Sequence, residues 1–422
     1  MTRTNRRIHK VTNSPSGLLA APLSWLATVQ RPFLSVPRFM LPGMARRTSS
    51  SGETTELAQA WPAEWNTVAI SLLASGFVEL SQRLDRQGAF PVPYPPALQR
   101  GLDRLTAMGV VVDAKVLPRS VMDLAAWAHR PFAQWPFRPD VEGLNDDESL
   151  LVDGKPSKAC LEWAVVSGDV EGEIRERLLI HGVLDVCKAN DDPAAYVRFR
   201  RQLVEKPAMS ERDLLVTMAQ PGFAVLAQHL RGAYRPAPAE ALVEGEAVVC
   251  GGCGHLWTVQ IDGVRRCGEW DCPAPATIRK RLPASEGVVW LSRELRMFVS
   301  GPGRAELRIA EALERAGVTV RLWPNFDACD VLPVEVPWAA DVKSWTNPVR
   351  LAWRLNERPF VVPPGAERGF IVIAKEQTTG RSEYLRTLRS HCGWLKGQSR
   401  VEAVSEKTFI ERVLREFRKA RA

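Results

Sequence analysis

The sequence predicts a multidomain chain with an α-helical N-terminal region, a small four-cysteine insert and a C-terminal α/β domain built on a mixed central sheet. Apolar residues recur at helical spacing from about residue 56 to 235. Two close cysteine pairs follow between 250 and 272. Beyond 283, short apolar runs alternate with amphipathic stretches, the pattern of strands interleaved with helices. The expected boundaries are 1–55 for a leader, 56–239 for a helical scaffold or partner domain, 240–282 for the insert and 283–422 for the α/β domain. At 422 residues with 45% hydrophobic content, the chain can bury ample core, which excludes wholesale disorder and disulfide miniscaffolds.

Charge separates the regions. Residues 1–52 carry eight basic residues and no acid, residues 53–278 are net −9, and residues 279–422 hold 26 basic against 17 acidic residues. The formal charge of +8 is therefore a sum of unlike parts, and polyanion binding is expected in the last third. The leader reads as a disordered basic arm or an over-long start, with Met40 or Met44 as the alternative first residue. Its apolar stretch Gly17 to Val29 is too short for a membrane span, and no small-x-small cleavage site follows. No membrane association is expected.

In the helical region, Leu72, Leu73, Phe77, Leu80 and Leu84 form one stripe ahead of the proline-rich break at residues 91–96. Short helices are predicted at Leu102–Met108 and Val121–Ala128. Pro131–Asp153, rich in Pro, Gly and acids, reads as a long connection or lid. Longer helices follow at Ser157–Val166, Glu171–Lys188, Pro193–Glu205 and Glu211–His229. Asp192 and Ser210 stand at N-cap positions, Asp192 with Pro193 in the first turn. This half reads as all-α, and Tyr234–Ala239 as a linker.

Cys250-Gly-Gly-Cys253 is a tight turn whose thiolates can share one ion. Thirteen residues with hairpin character separate it from Cys267-Gly-Glu-Trp-Asp-Cys272. Cys250, Cys253, Cys267 and Cys272 thus form a zinc-ribbon pattern, closed and structural, with His255 as a possible substitute ligand. Clustered thiols of this kind fit a reducing, cytoplasmic setting. Cys160, Cys187, Cys329 and Cys392 read as isolated thiols.

After a strand at Val288–Leu291 and a loop Ser300-Gly-Pro-Gly303, a helix is expected at Arg304–Ala316. Strands are predicted at Val318–Leu322, Val331–Val336, Trp338–Val342, Gly369–Ala374 and Val401–Val404. Helices are expected at Pro348–Leu355, Ser382–His391 and Lys407–Arg418. Asp341-Val342-Lys343 ends a strand, and alternation puts Asp341 and Lys343 on one face. Asp330 opens the preceding strand, with Asp327 as a rival for its role. Glu306 lies on the apolar stripe of Ile309, Ala310 and Leu313, an unusual position for an acid. Phosphodiester hydrolysis needs a hard divalent cation on carboxylate oxygens. Asp330 and Asp341 supply these from adjacent strands, Glu306 completes the set, and Lys343 orients the nucleophile or offsets developing charge. The expected cofactors are Mg2+ (or Mn2+) here and structural Zn2+ at the cysteines.

The order Glu306, Asp330, Asp341-x-Lys343 resembles the PD-(D/E)xK restriction-endonuclease-like superfamily. Leu322-Trp-Pro-Asn-Phe-Asp-Ala-Cys-Asp330 and Ala340-Asp-Val-Lys-Ser-Trp-Thr-Asn-Pro348 resemble, more narrowly, the restriction-endonuclease-like component of bacterial pPIWI-RE modules. The resemblance covers about residues 130–422. It departs at Cys329, where an aromatic is common, and at Ser344, where an acid is. It implies a restriction-endonuclease-like fold for the last domain, a PIWI/Argonaute-like protein and a helicase as partners, and a role against invading nucleic acid.

Arg350, Arg354 and Arg358, spaced by four, with Arg386 and Arg389 on the next helix, are the expected phosphate contacts. Trp338, Trp345 and Trp353 read as core or site walls. The sequence therefore predicts an Mg2+-dependent endonuclease acting on DNA. The alternatives are a non-catalytic nucleic-acid-binding or assembly subunit of the same system, and a zinc-ribbon regulator with an unrelated α/β domain.

Overall fold

The protein is described here from a computed structural model covering residues 63–87, 93–166, 171–260, 263–269 and 272–421. The basic leader read over 1–55 lies outside these residues. Helices Ala63–Gln87, Pro96–Val111, Val121–Ala128 and Lys158–Val166 enclose a core that includes Ile70, Leu73, Phe77, Leu98, Leu105, Leu124 and Trp163. The first two pack closely because Gly76 is bare: a Cβ there would stand 2.5 Å from the backbone of Leu98. Ser120 caps the third, accepting from Asp123 N at 3.1 Å.

The segment Pro131–Asp153 is not a lid. Phe132, Trp135, Val141, Leu144 and Leu150 are buried in the same core, so apolar burial holds the segment down despite its loop-like composition. Helices Glu171–Ala189 and Pro193–Glu205 follow, the second capped by Asp192, which accepts from Ala195 N at 2.8 Å. The expected long helix from Glu211 stops at Met218. A 3-10 turn, Pro221–Leu226, and a short helix, Ala227–Ala233, replace its second half. Pro221 has no N–H and pushes Gln220 into extended backbone, which interrupts the helix there.

The expected all-α half and its linker need correction. Tyr234–Pro236 is a strand, and with Ala208–Ser210 it flanks Val288–Leu291 in an antiparallel three-stranded sheet. The boundaries read at 239 and 283 are thus crossed by backbone pairing. They are also crossed by packing: Val183, Tyr196, Phe199, Leu203 and Leu230 share one core with Ile309, Leu313, Phe370 and Phe409.

The cysteine insert is built from Leu242–Val243, Glu246–Cys250 and Ile278–Pro283 as one sheet, with Trp257–Val259 and Arg265–Cys267 as a hairpin. Beyond it, the expected loop at Ser300–Gly303 is helical. A π-turn over Arg296–Ser300 runs into helix Gly301–Arg315. Pro302 is tolerated in the first helical turn, and Gly303 serves close packing, since a Cβ there would meet Val204 Cγ2 at 2.4 Å.

The C-terminal sheet runs in the order Val320–Leu322, Val331–Pro333, Trp338–Lys343, Arg368–Ile373, Val401–Ser405. The first three strands are antiparallel and the last three parallel, as a mixed sheet requires. Parallel strands need cover on both faces. Phe370 and Val372 pack with helices Gly301–Arg315 and Glu406–Arg421. Ile371 and Ile373 pack with Leu351, Leu355, Tyr384 and Leu388 of helices Pro348–Glu357 and Tyr384–His391. Among the described residues, no helix is long and apolar enough to cross a membrane.

Candidate active site and metal cradle

Strand pairing brings the two aspartates together. Asp330 N donates to Ala340 O at 2.9 Å, one residue before Asp341, and Asp330 Oδ2 accepts from Val342 N at 2.6 Å. Along Trp338–Lys343, Val342 is buried while Asp341 and Lys343 are half-buried on the opposite face, as alternation predicts. Lys343 Nζ donates to Asp341 Oδ1 at 2.6 Å. Burial works against the Lys343 ammonium, but Asp341 and Asp330 outweigh it and raise its pKa. Burial, reinforced by Glu306 and Asp341, holds Asp330 well above the usual carboxylate range.

Glu306 projects from helix Gly301–Arg315 into the same interior and is 1% exposed. Both its oxygens accept from Arg200 Nη2, at 3.1 and 3.2 Å, and Oε2 also accepts from Trp323 Nε1. Arg200 donates further, through Nη1 to Asp327 Oδ1 at 2.5 Å and through Nη2 to Asp330 Oδ1 at 3.4 Å. Burial raises the Glu306 pKa despite Arg200's opposing pull. Desolvation disfavours the guanidinium, yet Asp327, Glu306 and Asp330 lift its pKa well above normal.

Asp327, the rival first aspartate, is carried on an unusual backbone. Trp323, Asn325, Phe326 and Asp327 all have positive φ, from 47° to 75°, without a glycine among them. Asn and Asp tolerate this region, whereas Trp323 and Phe326 each cost roughly 1–2 kcal/mol there, and the turn is pinned by Arg200 and by Tyr196 OH, which donates to Asp327 Oδ2 at 3.0 Å.

Arg200, Tyr196 and Trp323 were not read from the sequence as site residues. A signal existed for Arg200: it shares a helical stripe with Tyr196, Phe199 and Leu203, the same anomaly that marks Glu306.

A cleft of about 510 Å3 opens over these groups, lined by Arg200, Glu306, Asp330, Asp341, Lys343 and, on helix Pro348–Glu357 and beyond, Arg354 and Arg358. Trp345 forms part of its wall, while Trp338 and Trp353 pack against Phe370 and Trp163. Arg350 must be removed from the expected phosphate contacts. It is fully buried, donating to Glu148 Oε1 and Oε2 and to Glu162 Oε2, each at 2.7 Å. With Nε also donating to Glu162 Oε2 and Nη1 to Gly143 O, both at 3.1 Å, the guanidinium has no donor left for a polyanion. The same Glu162 accepts from Thr346 N at 2.6 Å, so this network fixes the loop that follows Lys343.

The four cysteines form the second centre. Cys250 and Cys272 sulfurs lie 3.4 Å apart, as do those of Cys253 and Cys267, and all four lie within 4.8 Å of one another. Four sulfurs about 2.3 Å from one tetrahedral ion stand roughly 3.8 Å apart, so the set fits zinc. The cradle leaves no room for a side chain: a Cβ on Gly252 would meet Cys272 Sγ at 2.8 Å. The cluster could therefore hold a structural metal such as zinc. His255 is outside the group, buried with Nε2 3.4 Å from Ser300 Oγ, and burial lowers its pKa to about 3. Among the described residues the cysteines are the group of three or more such side chains whose ligand atoms converge within metal reach; Glu306, Asp330 and Asp341 do not converge in this way.

Two family models match the chain. One, described as REase associating with pPIWI_RE, covers residues 303–421. The other, described as pPIWI_RE three-gene island domain Y, covers residues 69–210. No curated protein and no solved structure matches.

Proposed function

The chain belongs to the pPIWI-RE-associated family and includes its REase-associated domain, and on this footing we propose that it is a metal-dependent endonuclease that cleaves phosphodiester bonds of DNA. The observation that carries the reading is the strand-end constellation: Asp330 hydrogen-bonded to Val342 N, beside Asp341 paired with Lys343, at the base of a cleft rimmed by Arg354 and Arg358. Asp330 and Asp341 would hold Mg2+, or Mn2+ in its place, because paired carboxylate oxygens suit a hard cation. The chemistry that a bound ion supplies is polarisation of the phosphodiester and a lower pKa for the attacking water.

Lys343 is held by Asp341 with its ammonium toward the cleft, where it can orient the nucleophile or offset charge on the phosphate. Arg354 and Arg358 bind the backbone without choosing sequence. In this reading the protein works in the cytoplasm with a PIWI/Argonaute-like protein and a helicase against invading nucleic acid, and the zinc-loaded cysteine insert is structural.

One observation favours a second reading, a non-catalytic nucleic-acid-binding or assembly subunit of the same system: a guanidinium already lies among the carboxylates. Cleavage of labelled DNA with Mg2+ or Mn2+ by wild type and Lys343→Ala separates the two. The expected loss on substitution is about a hundredfold or more, the scale of one transition-state donor. Equal cleavage by both proteins would sink the site.

A further inference from the structure

The acidic centre holds more carboxylates than a single divalent ion needs, and a side chain from outside the C-terminal domain lies among them. Glu306, Asp327, Asp330 and Asp341 face Arg200 and Lys343, four formal negative charges against two positive. One divalent ion balances the remainder, whereas two would leave a buried excess of positive charge, which burial penalises.

The hydrogen bonds distribute these acids unequally. Both Glu306 oxygens are engaged by Arg200 Nη2, one also by Trp323 Nε1, and the residue is 1% exposed. For Glu306 to ligate a metal, it would have to abandon a guanidinium that is itself held by Asp327 and Asp330 and is stacked 4.9 Å from the Trp323 ring centroid. Asp341, by contrast, is half-buried on the cleft side and has only its Oδ1 in the Lys343 pair. Asp330 stands between the two arrangements: Oδ2 is fixed by Val342 N, and Oδ1 reaches Arg200 only at the long distance of 3.4 Å.

Building on the nuclease reading, we propose that Arg200 is the resident interior cation of this centre, a positioning residue that confines it to one divalent ion on Asp330 and Asp341, with Glu306 as counter-charge to Arg200 and not a ligand. The helical region then supplies a residue that the C-terminal domain needs in order to define its own metal site.

The test counts Mn2+ bound to the full-length, zinc-loaded protein, by calorimetry and by loss of the free-ion electron paramagnetic resonance signal. The expected result is one Mn2+ per chain, more than tenfold weaker binding in Asp341→Asn, and a clearly smaller loss in Glu306→Gln, which removes one counter-charge but retains the shape and one acceptor for Arg200. Arg200→Gln, with three carboxylates freed and one positive charge in excess once two ions are bound, is expected to bind a second ion more weakly than the first; should it not fold, the comparison of Glu306→Gln with Asp341→Asn decides. Two ions on the wild type, or binding in Glu306→Gln as weak as in Asp341→Asn, would overturn the inference and leave the nuclease reading standing. Absence of Asp341-dependent binding would overturn both.

Discussion

The four cysteine sulfurs converge on one point and come from residues 250–272 alone, whereas the carboxylates of the cleft surround a guanidinium in a centre assembled from side chains between residues 196 and 343. The first centre is a local product of two turns and a hairpin. The second exists only because two helices, a left-handed turn and two strands meet. A closed thiolate set directs the energy of a bound metal into folding. An acidic set that already contains a cation spends stability on keeping charge in place at a cleft.

The comparison is most severely tested by removing a ligand from the local centre. Cys253→Ser is expected to abolish zinc retention, measured by elemental analysis, and to unfold the insert, since structural zinc contributes on the order of 10 kcal/mol. A variant that loses zinc with an unchanged melting temperature would show that the cradle is not a structural site.

Next in size is the network that supports the distant centre from behind. Glu162→Ala leaves Arg350 buried with half its partners and releases Thr346 beside the active strand. The expected destabilisation is about 3–5 kcal/mol in a denaturant titration, and a change below about 1 kcal/mol would mean that Glu148 alone satisfies the guanidinium.

The smallest effect belongs to the exposed rim. Arg358→Ala should weaken DNA binding modestly and reduce the slope of log affinity against log salt by about one, with no change in melting temperature. An unchanged slope removes Arg358 from the interface, as burial has already removed Arg350.

What could be read from the sequence follows the same division. The cysteine set, the cap residues Asp192 and Ser210, and the helices Val121–Ala128 and Pro193–Glu205 depend on neighbours a few residues away, and spacing conveys them. Asp341 and Lys343 were legible because alternation is also local. Arg350 misled because spacing by four looks alike on a solvated face and on a buried one, and only Glu148 and Glu162, some two hundred residues earlier, distinguish them. Tyr234–Pro236 reads as a linker by composition and becomes a strand because Val288–Leu291 needs a partner on that edge. Arg200 could have been noticed on its stripe, but its role depends on Glu306 and Asp327, which no local pattern connects to it.

The sheet that joins Ala208–Ser210, Val288–Leu291 and Tyr234–Pro236 bears on how such a chain can be inherited. The segments 69–210 and 303–421 are recognisable separately, yet a recombination event that exchanged only the latter would import an acidic cleft without the arginine fitted to it. It would also set the imported residue 303 against Val204, where a glycine is needed for as long as position 204 carries a branched side chain. The two segments should therefore pass through evolution as a linked pair, with changes at Arg200 and Val204 answered by changes at Glu306 and Gly303.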